Sequence, residues 1–325
     1  MNVNDTKNDT ALRPISIDTM IGMEDNRRRI KLSIEAAKKR DEPLPHLLVD
    51  GSRGLGKTTL ALCVANEIGS KLHIVNAATI KKSQDVVSLF RDLEEKDTVF
   101  FDEIHALPKS VEEMLYTIME DWEMAVPLGR TRNIVKMDVA RFTMLGATTD
   151  VGRVSAPLRD RFRIRERLMP YSDDDIAKII MLNAPKLDKQ IGAEAAKAIA
   201  VRSRNTPRIS VNNLYWCRDY AQYRWSNEIT LEIVEEAMAE QKIDDQGFNE
   251  LDRKYIKTIW SDYSGGPVGI SALSNSLLTE AITITDDIEP YIMQKGLLFR
   301  GPGGRQLTQK GIDYCQEKFS RYNKE

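Results

Sequence analysis

Short apolar runs alternate with amphipathic stretches through the first half of the chain. Each run spans a few residues and is rich in β-branched or aromatic side chains. The runs are His46–Asp50, Lys71–Asn76, Thr98–Asp102 and Arg141–Gly146. Buried parallel strands that are joined by crossover helices have this pattern. We therefore predict an α/β fold with a parallel sheet from about residue 30 to residue 170.

The pattern changes at Tyr171, where the strand-like runs stop. Ser172 and Asp175 have the spacing of a capping box, which predicts a helix that ends near Asn183. Further helices are predicted for Gly192–Ser203, Thr206–Arg224 and Thr230–Gln241. This segment is therefore predicted to be all-helical, and the polar residues Asp244–Asn249 after it are the best candidate for a linker.

The C-terminal part has the pattern of a winged helix. Leu251, Tyr255 and Ile259 recur at helical spacing and line one face of a helix. Two shorter helices are predicted around Ser271–Leu278 and Thr285–Lys295. In Leu297–Thr308, two short arms flank a glycine-rich turn, as in a β-hairpin. The chain is thus predicted to have three domains: a large α/β domain (residues 1–170), a small helical domain (171–246) and a winged helix (247–325).

The composition is that of a folded protein with little overall charge. The 325 residues include 47 Lys and Arg, 49 Asp and Glu and 3 Cys, with a formal net charge of −2 and 42% hydrophobic residues. This balance excludes wholesale disorder, and the scattered cysteines indicate neither a disulfide framework nor a zinc site. The N-terminus is polar, and no apolar stretch approaches the roughly 20 residues of a membrane-spanning helix. We therefore expect a cytoplasmic protein without a membrane partner.

Residues Gly51–Thr58 (GSRGLGKT) match the phosphate-binding pattern G-x-x-x-x-G-K-[ST]. They stand between a predicted strand and a helix predicted for Thr58–Ile68, which is the context that such a loop requires. Lys57 would reach the β- and γ-phosphate oxygens of ATP, and Thr58 would ligate Mg²⁺. A glycine-rich turn with a chance lysine is the alternative, and the flanking elements argue against it. The loop residues expected to bind phosphate are Gly51, Gly54, Leu55, Gly56, Lys57 and Thr58.

Two carboxylates and a hydroxyl follow the next strands. Asp102 and Glu103 come at the carboxyl end of a predicted strand, where the ligand crevice of a parallel sheet lies. There Asp102 would hold Mg²⁺, and Glu103 would orient or deprotonate the attacking water. Thr148, after the following strand, is a candidate for holding that water or sensing the γ-phosphate. Each signal alone also fits a solvated strand end, so their weight comes from the phosphate loop before them.

Several segments together resemble the AAA+ ATPases and, among them, the RuvB family. The segments are GLGKTTLA (54–61), DEIHAL (102–107), GATT (146–149), APLRDRF (156–162), TPRI (206–209), LDRK (251–254), GGPVG (265–269) and EPYIMQKG (289–296). The resemblance covers roughly residues 12 to 310. It implies a P-loop AAA+ ATPase domain, a small helical lid and a C-terminal winged-helix DNA-binding domain, with ATP and Mg²⁺ as cofactors. It also implies a hexameric ring that drives branch migration of Holliday junctions on double-stranded DNA.

The resemblance assigns roles that the patterns alone do not. Beyond the phosphate loop, it implies nucleotide contacts for Leu12, Arg13, Thr59, Glu120, Asp121, Trp122, Tyr171 and Arg208. Arg161 matches the arginine finger that reaches into a neighbouring subunit's site, and Arg208 matches the sensor 2 arginine of the lid. The local sequence agrees with the second role. Thr206 can cap a helix and Pro207 can take its first position, so that Arg208 lies in the first turn.

The chain also departs from the family's pattern. Arg53 stands at a proline position of the phosphate loop. Its extra positive charge is interpreted as causing either tighter nucleotide binding or slower product release. Ala106 and Arg163 replace an arginine and a glycine. The segment Trp122–Val139 resembles a hairpin that docks on a RuvA-like junction-binding partner, although it is shorter. Its apolar residues are interpreted either as partner anchors or as ordinary packing: Met124, Val126, Ile134 and Val135.

A cationic group near the C-terminus is predicted to contact DNA. It has no acid within it and consists of Lys295, Arg300, Arg305 and Lys310. Arg300 and Arg305 match the family's DNA-contacting arginines. The preceding helix carries Asp286, Asp287 and Glu289, so we expect contacts to the DNA backbone rather than sequence reading. Two alternatives remain open: a clamp-loader-like remodelling ATPase, and a nucleotide-gated DNA-binding AAA+ adaptor.

Overall fold

A computed structural model of the chain describes residues 11–127 and 134–319. The chain divides into two compact units. One comprises Met1–Leu187 with Asn205–Val211, and the other comprises Asp188–Arg204 with Asn212–Glu325. This division assigns the start of the predicted helical domain to the first unit and its remainder to the second. The predicted limits of three domains therefore stay predictions.

The first unit alternates helices and strands. In chain order they are α1 (Glu24–Arg40), β1 (Leu47–Asp50), α2 (Lys57–Ile68), β2 (Leu72–Asn76), α3 (Gln84–Arg91), β3 (Thr98–Asp102), α4 (Lys109–Asp121), β4 (Glu123–Pro127), β5 (Ile134–Asp138), β6 (Thr143–Thr148), α5 (Ala156–Asp160), β7 (Ile164–Arg167) and α6 (Asp173–Asn183). Five strands form one sheet in the order β2-β3-β6-β1-β7, and each neighbouring pair is parallel. The predicted α/β fold with a parallel sheet is confirmed.

The centre of the sheet is buried on both faces. Every residue of β6 is buried, as are the first four of β3, which explains why these strands appear in the sequence as continuous apolar runs. The predicted strand Arg141–Gly146 was misplaced by two residues, since β6 begins at Thr143 instead of Arg141. Thr143 enters the strand because its buried hydroxyl donates to the Leu44 carbonyl at 2.9 Å.

One strand of the sheet was missed. β7 (IRER) carries three charged residues and shows no apolar run. Its Glu166 is nevertheless buried, because it accepts hydrogen bonds from Arg29 Nε at 2.8 Å and from Asn26 Nδ2 at 2.5 Å. Both partners lie on α1, which is more than a hundred residues away in sequence. The strand thus depends on a pairing that no local pattern reveals.

The predicted hairpin is present as the antiparallel pair β4–β5, and residues 128–133 between these strands lie outside the described part. Met124 is fully buried in the main core of this unit, and Val126 packs against that core. For these two residues, ordinary packing is therefore the correct interpretation. Val135 is 40% exposed, whereas the side chain of Ile134 lies outside the described residues.

The second unit holds most of the helices after residue 188. Its elements are β8 (Gln190–Ile191), α7 (Ala193–Val201), α8 (Pro207–Tyr223), β9 (Glu228–Ile229), α9 (Leu231–Glu240), α10 (Glu250–Asp262), α11 (Ile270–Leu277), α12 (Ala281–Thr283), a π-helical turn (Ile284–Ile288), α13 (Glu289–Gln294), β10 (Leu298–Gly301), β11 (Gly304–Leu307) and α14 (Gln309–Phe319). The first residues of α8 belong to the first unit. The predicted helices and hairpin of a winged helix are confirmed. The prediction of an all-helical lid segment was wrong in detail, because β8 and β9 form a two-residue parallel pair. No described helix is long and apolar enough to cross a bilayer.

The predicted linker is a folded segment. Phe248 is fully buried in the core of the winged helix. The Asp244 carboxylate accepts hydrogen bonds from Phe248 N at 2.9 Å and from the Tyr314 hydroxyl at 3.1 Å. Asn249 then caps α10 through a reciprocal capping box with Asp252. The polar composition predicted a linker here, whereas the polar side chains bond to the segment's own backbone and to α14.

Candidate functional site

The phosphate loop joins β1 to α2 in the predicted position. Gly54 and Gly56 have positive φ angles of 81° and 94°, which glycine adopts without strain. A Cβ atom at Gly54 would come within 2.7 Å of Thr206 Cγ2. Glycine at this position therefore permits both the turn of the loop and the close approach of the segment that begins α8.

Lys57 is the first residue of α2 and is buried. Its ammonium donates to the carbonyls of Gly51 at 2.6 Å and Ser52 at 3.2 Å. Burial lowers the pKa of Lys57 from its usual value, and the nearby carboxylates, chiefly Glu103 and then Asp102, oppose that shift. The charge is thus held inside the loop, within the field of the two acids at the carboxyl end of β3.

Asp102, Glu103 and Thr148 lie at one edge of the sheet. β3 and β6 are neighbours in parallel register, so their carboxyl ends coincide, and Thr148 is also paired with Asp50 at the end of β1. The Thr149 hydroxyl donates to Glu103 Oε2 at 3.2 Å. The predicted catalytic groups of this chain, Arg161 excepted, are therefore brought together beside the phosphate loop.

His105 is a residue of this site that sequence reasoning missed. Its Nδ1 lies 2.9 Å from Thr148 Oγ1 and 3.3 Å from Glu103 Oε2. The carboxylate can only accept, so a proton on Nδ1 serves both neighbours. Thr148 Oγ1 also accepts from Asp150 N at 3.0 Å, which leaves its own hydroxyl hydrogen for another acceptor. The segment DEIH contained the signal, because His105 stands two residues after Glu103.

The oxygen donors fit a magnesium ion that is shared with a nucleotide. Thr58 stands in the first turn of α2, and Asp102 ends β3 at the same edge of the sheet. Mg²⁺ usually takes one or two protein oxygens and completes its shell with phosphate and water. Consistent with that, the described residues contain no group of three or more His, Cys, Asp or Glu that could hold a metal by themselves.

The residues expected around the base of the nucleotide are partly buried in the first unit. Leu12 and Tyr171 are both buried. The chain after Leu12 is held on α2 by a hydrogen bond from Cys63 Sγ to the Pro14 carbonyl at 3.3 Å. The Tyr171 hydroxyl donates to Met23 Sδ at 3.8 Å, and burial raises the pKa of this phenol, so it stays a donor. Arg13 is exposed.

Arg208 lies in the first turn of α8, as predicted. Its backbone N–H donates to the Gly54 carbonyl at 3.4 Å, which ties the start of the helix to the phosphate loop. The Arg208 side chain is exposed. A guanidinium in this place can approach phosphate groups held by the loop.

Arg161 and Glu120 form a separate group. The guanidinium donates from Nη1 to the Pro157 carbonyl at 2.8 Å, pairs from Nη2 with Glu120 at 3.0 Å and lies 4.5 Å from the centre of the Tyr116 ring. Among the described residues, no hydrogen bond or ion pair joins Arg161 to the phosphate loop of the same chain. Glu120 therefore belongs with Arg161 rather than with Lys57.

Trp122 lies at the other end of the sheet. Its ring centroid is 5.7 Å from that of His46 and 5.7 Å from that of Phe142. These residues precede β1 and β6, whereas the phosphate loop follows β1. Trp122 is thus a packing residue within this protomer, and its expected place beside the nucleotide is not reproduced within one chain.

The predicted cationic group was wrong in one respect, because an acid lies inside it. Glu289 is fully buried and accepts hydrogen bonds from Arg300 Nε at 2.6 Å and Arg305 Nε at 2.9 Å. It is therefore not a surface charge that repels DNA. The two lysines lie apart from this cluster: Lys310 Nζ donates to the Lys295 carbonyl at 2.9 Å.

Family models match almost the whole chain. The model of the Holliday junction DNA helicase RuvB P-loop domain matches residues 12–168, that of the RuvB AAA lid domain residues 171–244, and that of the RuvB C-terminal winged helix domain residues 245–316. These matches are consistent with the site geometry described above.

Named relatives and solved structures agree with these matches. The Holliday junction branch migration complex subunit RuvB of Lacticaseibacillus casei is 41% identical, covering 95% of this chain and 92% of that protein. The protein of the same name from Kosmotoga olearia is 40% identical over 96% of this chain and 92% of its own length. The structure of the Thermotoga maritima RuvB Holliday junction branch migration motor matches with a TM-score of 0.84 and 40% identity, covering 94% of this chain and 98% of that one. The chain therefore belongs to the RuvB family of AAA+ proteins.

Proposed function

We propose that this chain is the ATP-hydrolysing motor subunit that moves the branch point of Holliday junctions along double-stranded DNA. The observation that carries the proposal is the meeting of Lys57, Asp102, Glu103 and Thr148 at the carboxyl edge of the sheet, in a chain similar over nearly its whole length to branch migration subunits. This edge is where an open parallel sheet binds its ligand.

The residues divide the work of hydrolysis among them. Lys57 binds the β- and γ-phosphate oxygens once its ammonium leaves the carbonyls of the loop, and Thr58 with Asp102 holds Mg²⁺. When bound, the ion neutralises charge that develops on the phosphate oxygens. Glu103 accepts the proton of the attacking water. The hydroxyl hydrogen of Thr148, which is free because His105 and Asp150 occupy its lone pairs, orients toward the γ-phosphate.

Arg161 acts on the nucleotide of a neighbouring subunit. The support is its place beside Glu120 and Tyr116 and, in the part of the chain that the structure describes, the lack of a bond to its own phosphate loop. Such an arrangement requires a closed assembly of copies, for which a hexameric ring around the duplex is the proposed form. Glu120, Asp121 and Trp122 end or follow the same helix as Tyr116, so any contact of theirs with nucleotide also belongs to the neighbour's site.

The remaining partners follow from the other elements. Arg300 and Arg305 of the winged helix are proposed to contact DNA phosphates, and β4–β5 is proposed to dock on a RuvA-like junction-binding protein. Met124 would not contact this partner, because its side chain is already buried in the core of this unit. The protein is proposed to act in the cytoplasm, with ATP and Mg²⁺ as its cofactors.

The test is branch migration of a synthetic four-way junction, with a RuvA-like protein, ATP and Mg²⁺. Wild type should dissociate the labelled junction into two duplexes. Lys57→Ala should bind no ATP, whereas Glu103→Gln should bind ATP and fail to hydrolyse it, because it keeps the charge of the loop and loses the base. Both variants should leave the junction intact.

The same measurement separates the alternatives. A nucleotide-gated adaptor would bind DNA in response to ATP without turnover by the wild type. A remodelling ATPase of another class would hydrolyse ATP and leave the junction intact. Either result with properly assembled protein would overturn the proposed function.

A further inference from the structure

Glu289 is a buried carboxylate that three side chains contact. Its Oε1 accepts from the Tyr255 hydroxyl at 2.8 Å and from Arg305 Nε at 2.9 Å. Its Oε2 accepts from Arg300 Nε at 2.6 Å and also forms an ion pair with Arg300 Nη2. The carboxylate itself is 0% exposed. Three hydrogen bonds and the ion pair with Arg300 Nη2 satisfy a charge that would be costly to bury alone.

The hairpin places both arginines over this carboxylate. Arg300 and Arg305 are paired across β10 and β11, so their side chains leave the same face of the ribbon side by side. Glu289 begins α13, and Tyr255 lies on α10 beneath it. The phenol donates to the carboxylate because burial and the adjacent charge raise the pKa of Tyr255.

The two guanidiniums reach from the buried acid to the surface. The side chain of Arg300 is 41% exposed and that of Arg305 is 16% exposed, against 0% for their shared partner. Glu289 binds Arg305 only through Nε. Among the described residues, no hydrogen bond involves the Nη groups of Arg305. Each arginine can thus bind an outer ligand while Glu289 fixes its inner edge.

We propose that Glu289 is a positioning residue that holds Arg300 and Arg305 as a preformed pair for the phosphate oxygens of duplex DNA. This inference rests on the proposed function, since it deepens the role of the winged helix. A free arginine loses side-chain freedom when it binds phosphate, and a prior anchor removes that cost. The Glu289 carboxylate also cancels one of the two positive charges. The arginine pair therefore attracts DNA less strongly, but its guanidinium groups are held in fixed positions.

Electrostatic attraction and positioning therefore predict opposite changes in DNA affinity when the charge of Glu289 is removed. Glu289→Gln removes a negative charge beside the arginines, so attraction alone predicts tighter DNA binding. Positioning predicts that full-length Glu289→Gln binds a fluorescein-labelled duplex about tenfold more weakly, in anisotropy titrations at fixed salt. Asp286→Asn and Asp287→Asn are matched controls, because they make the same charge change at exposed positions of the same helical stretch. They should bind equally or more tightly than wild type.

A double-mutant cycle distinguishes positioning from a general effect on folding. If Glu289 acts through Arg300, then Arg300→Ala should weaken binding much less in the Glu289→Gln background than in wild type. Tyr255→Phe removes one donor to Glu289 without a charge change, and it should weaken binding by a smaller factor. Thermal unfolding and DNA-free ATP hydrolysis are measured for each variant. If Glu289→Gln fails to fold, Tyr255→Phe decides: binding equal to that of wild type would overturn the proposal.

The remaining outcomes separate this inference from the function on which it rests. Wild type that does not bind the duplex would contradict the proposed function itself. Wild type that binds, together with a folded Glu289→Gln variant that binds equally or more tightly, would overturn the positioning role alone. Additive effects of Glu289→Gln and Arg300→Ala would do the same.

Discussion

His105 connects the group that would activate water with the group that would sense the γ-phosphate. Its Nδ1 is within hydrogen-bond distance of Thr148 Oγ1, and Glu103 Oε2 is 3.3 Å away. A single N–H can hold both groups only if it lies at this position of the ring. The geometry therefore makes the place of the donor, rather than the size of the side chain, the property that matters.

Substitutions that move this donor test the point. The amide of His105→Asn can occupy the place of Nδ1, whereas the amide of His105→Gln extends toward the place of Nε2. We expect His105→Asn to retain most ATP turnover and His105→Gln to lower kcat by roughly tenfold or more, with little change in KM. ADP affinity, measured by calorimetry, should be the same for both variants and wild type. Equal kcat values for the two variants would contradict this role.

The sequence predicted those site residues whose role follows from local order along the chain. Asp102 ends β3, and Lys57 begins the helix that the phosphate loop joins to β1. A strand's end identifies the ligand edge without knowledge of distant contacts. His105 and Glu289 could not be assigned in this way. Glu289 is buried only because Arg300 and Arg305 meet it across a hairpin, so its sequence suggested an exposed acid.

At the scale of elements, His46 joins β1, β6 and α4. Its Nδ1 accepts from Met144 N at 2.9 Å, and a hydrogen bond joins the imidazole to the backbone of Met119. Burial lowers the pKa of His46 from 6.5 to about 4. Protonation of Nδ1 would break the bond to Met144, so the neutral ring is the form that the folded sheet requires.

The stability of the first unit should therefore fall in mildly acidic solution. Because the folded pKa lies below the unfolded one, the contribution of His46 is complete above pH 6.5 and is lost as the pH falls toward 4. Between pH 7.5 and pH 5, wild type should lose about 2 kcal/mol more free energy of unfolding than His46→Phe. Urea unfolding at the two pH values measures this difference, in which the other titrating groups cancel. Equal losses would show that His46 is not the sensitive group.

Elements with an apolar period were predicted well, and elements that are stabilised by polar pairs were not. β3 and α10 follow from their own apolar residues. β7 required Glu166 to meet Arg29. α14 was also missed, although its Tyr314 and Cys315 lie in the core of the winged helix. The segment Asp244–Asn249 looked like a linker because its hydrogen bonds to itself and to Tyr314 cannot be seen in its composition.

At the scale of the whole molecule, the position of Arg161 predicts that one copy cannot turn over ATP efficiently alone. Arg161→Ala should bind ATP normally and hydrolyse it 10³-fold or more slowly, roughly the worth of a finger in related reactions. Arg165→Ala is a control for the loss of a nearby arginine, since Arg165 is exposed and pairs only with Asp160 among the acids described. This control should hydrolyse ATP at the wild-type rate.

Mixing variants shows whether the finger acts between copies. In an equal mixture of Arg161→Ala and Glu103→Gln, about one quarter of the interfaces combine an intact finger with an intact base. Hydrolysis should therefore recover to a measurable fraction of wild type, although neither variant is active alone. Assembly in the mixture is verified by light scattering. Absence of recovery in assembled mixtures would mean that Arg161 serves its own chain.

The folded segment Asp244–Asn249 limits how the winged helix can be transferred to another protein by gene fusion. A gene fusion that began at Phe248 would lose Asp244, whose carboxylate accepts from Phe248 N and from Tyr314. It would also separate Asp252, which is buried, from its partner Arg204. The fragment would carry a buried acid without its arginine and a Tyr314 hydroxyl without its acceptor. Recombination between genes could therefore transfer this DNA-binding part intact only together with the helices that precede it.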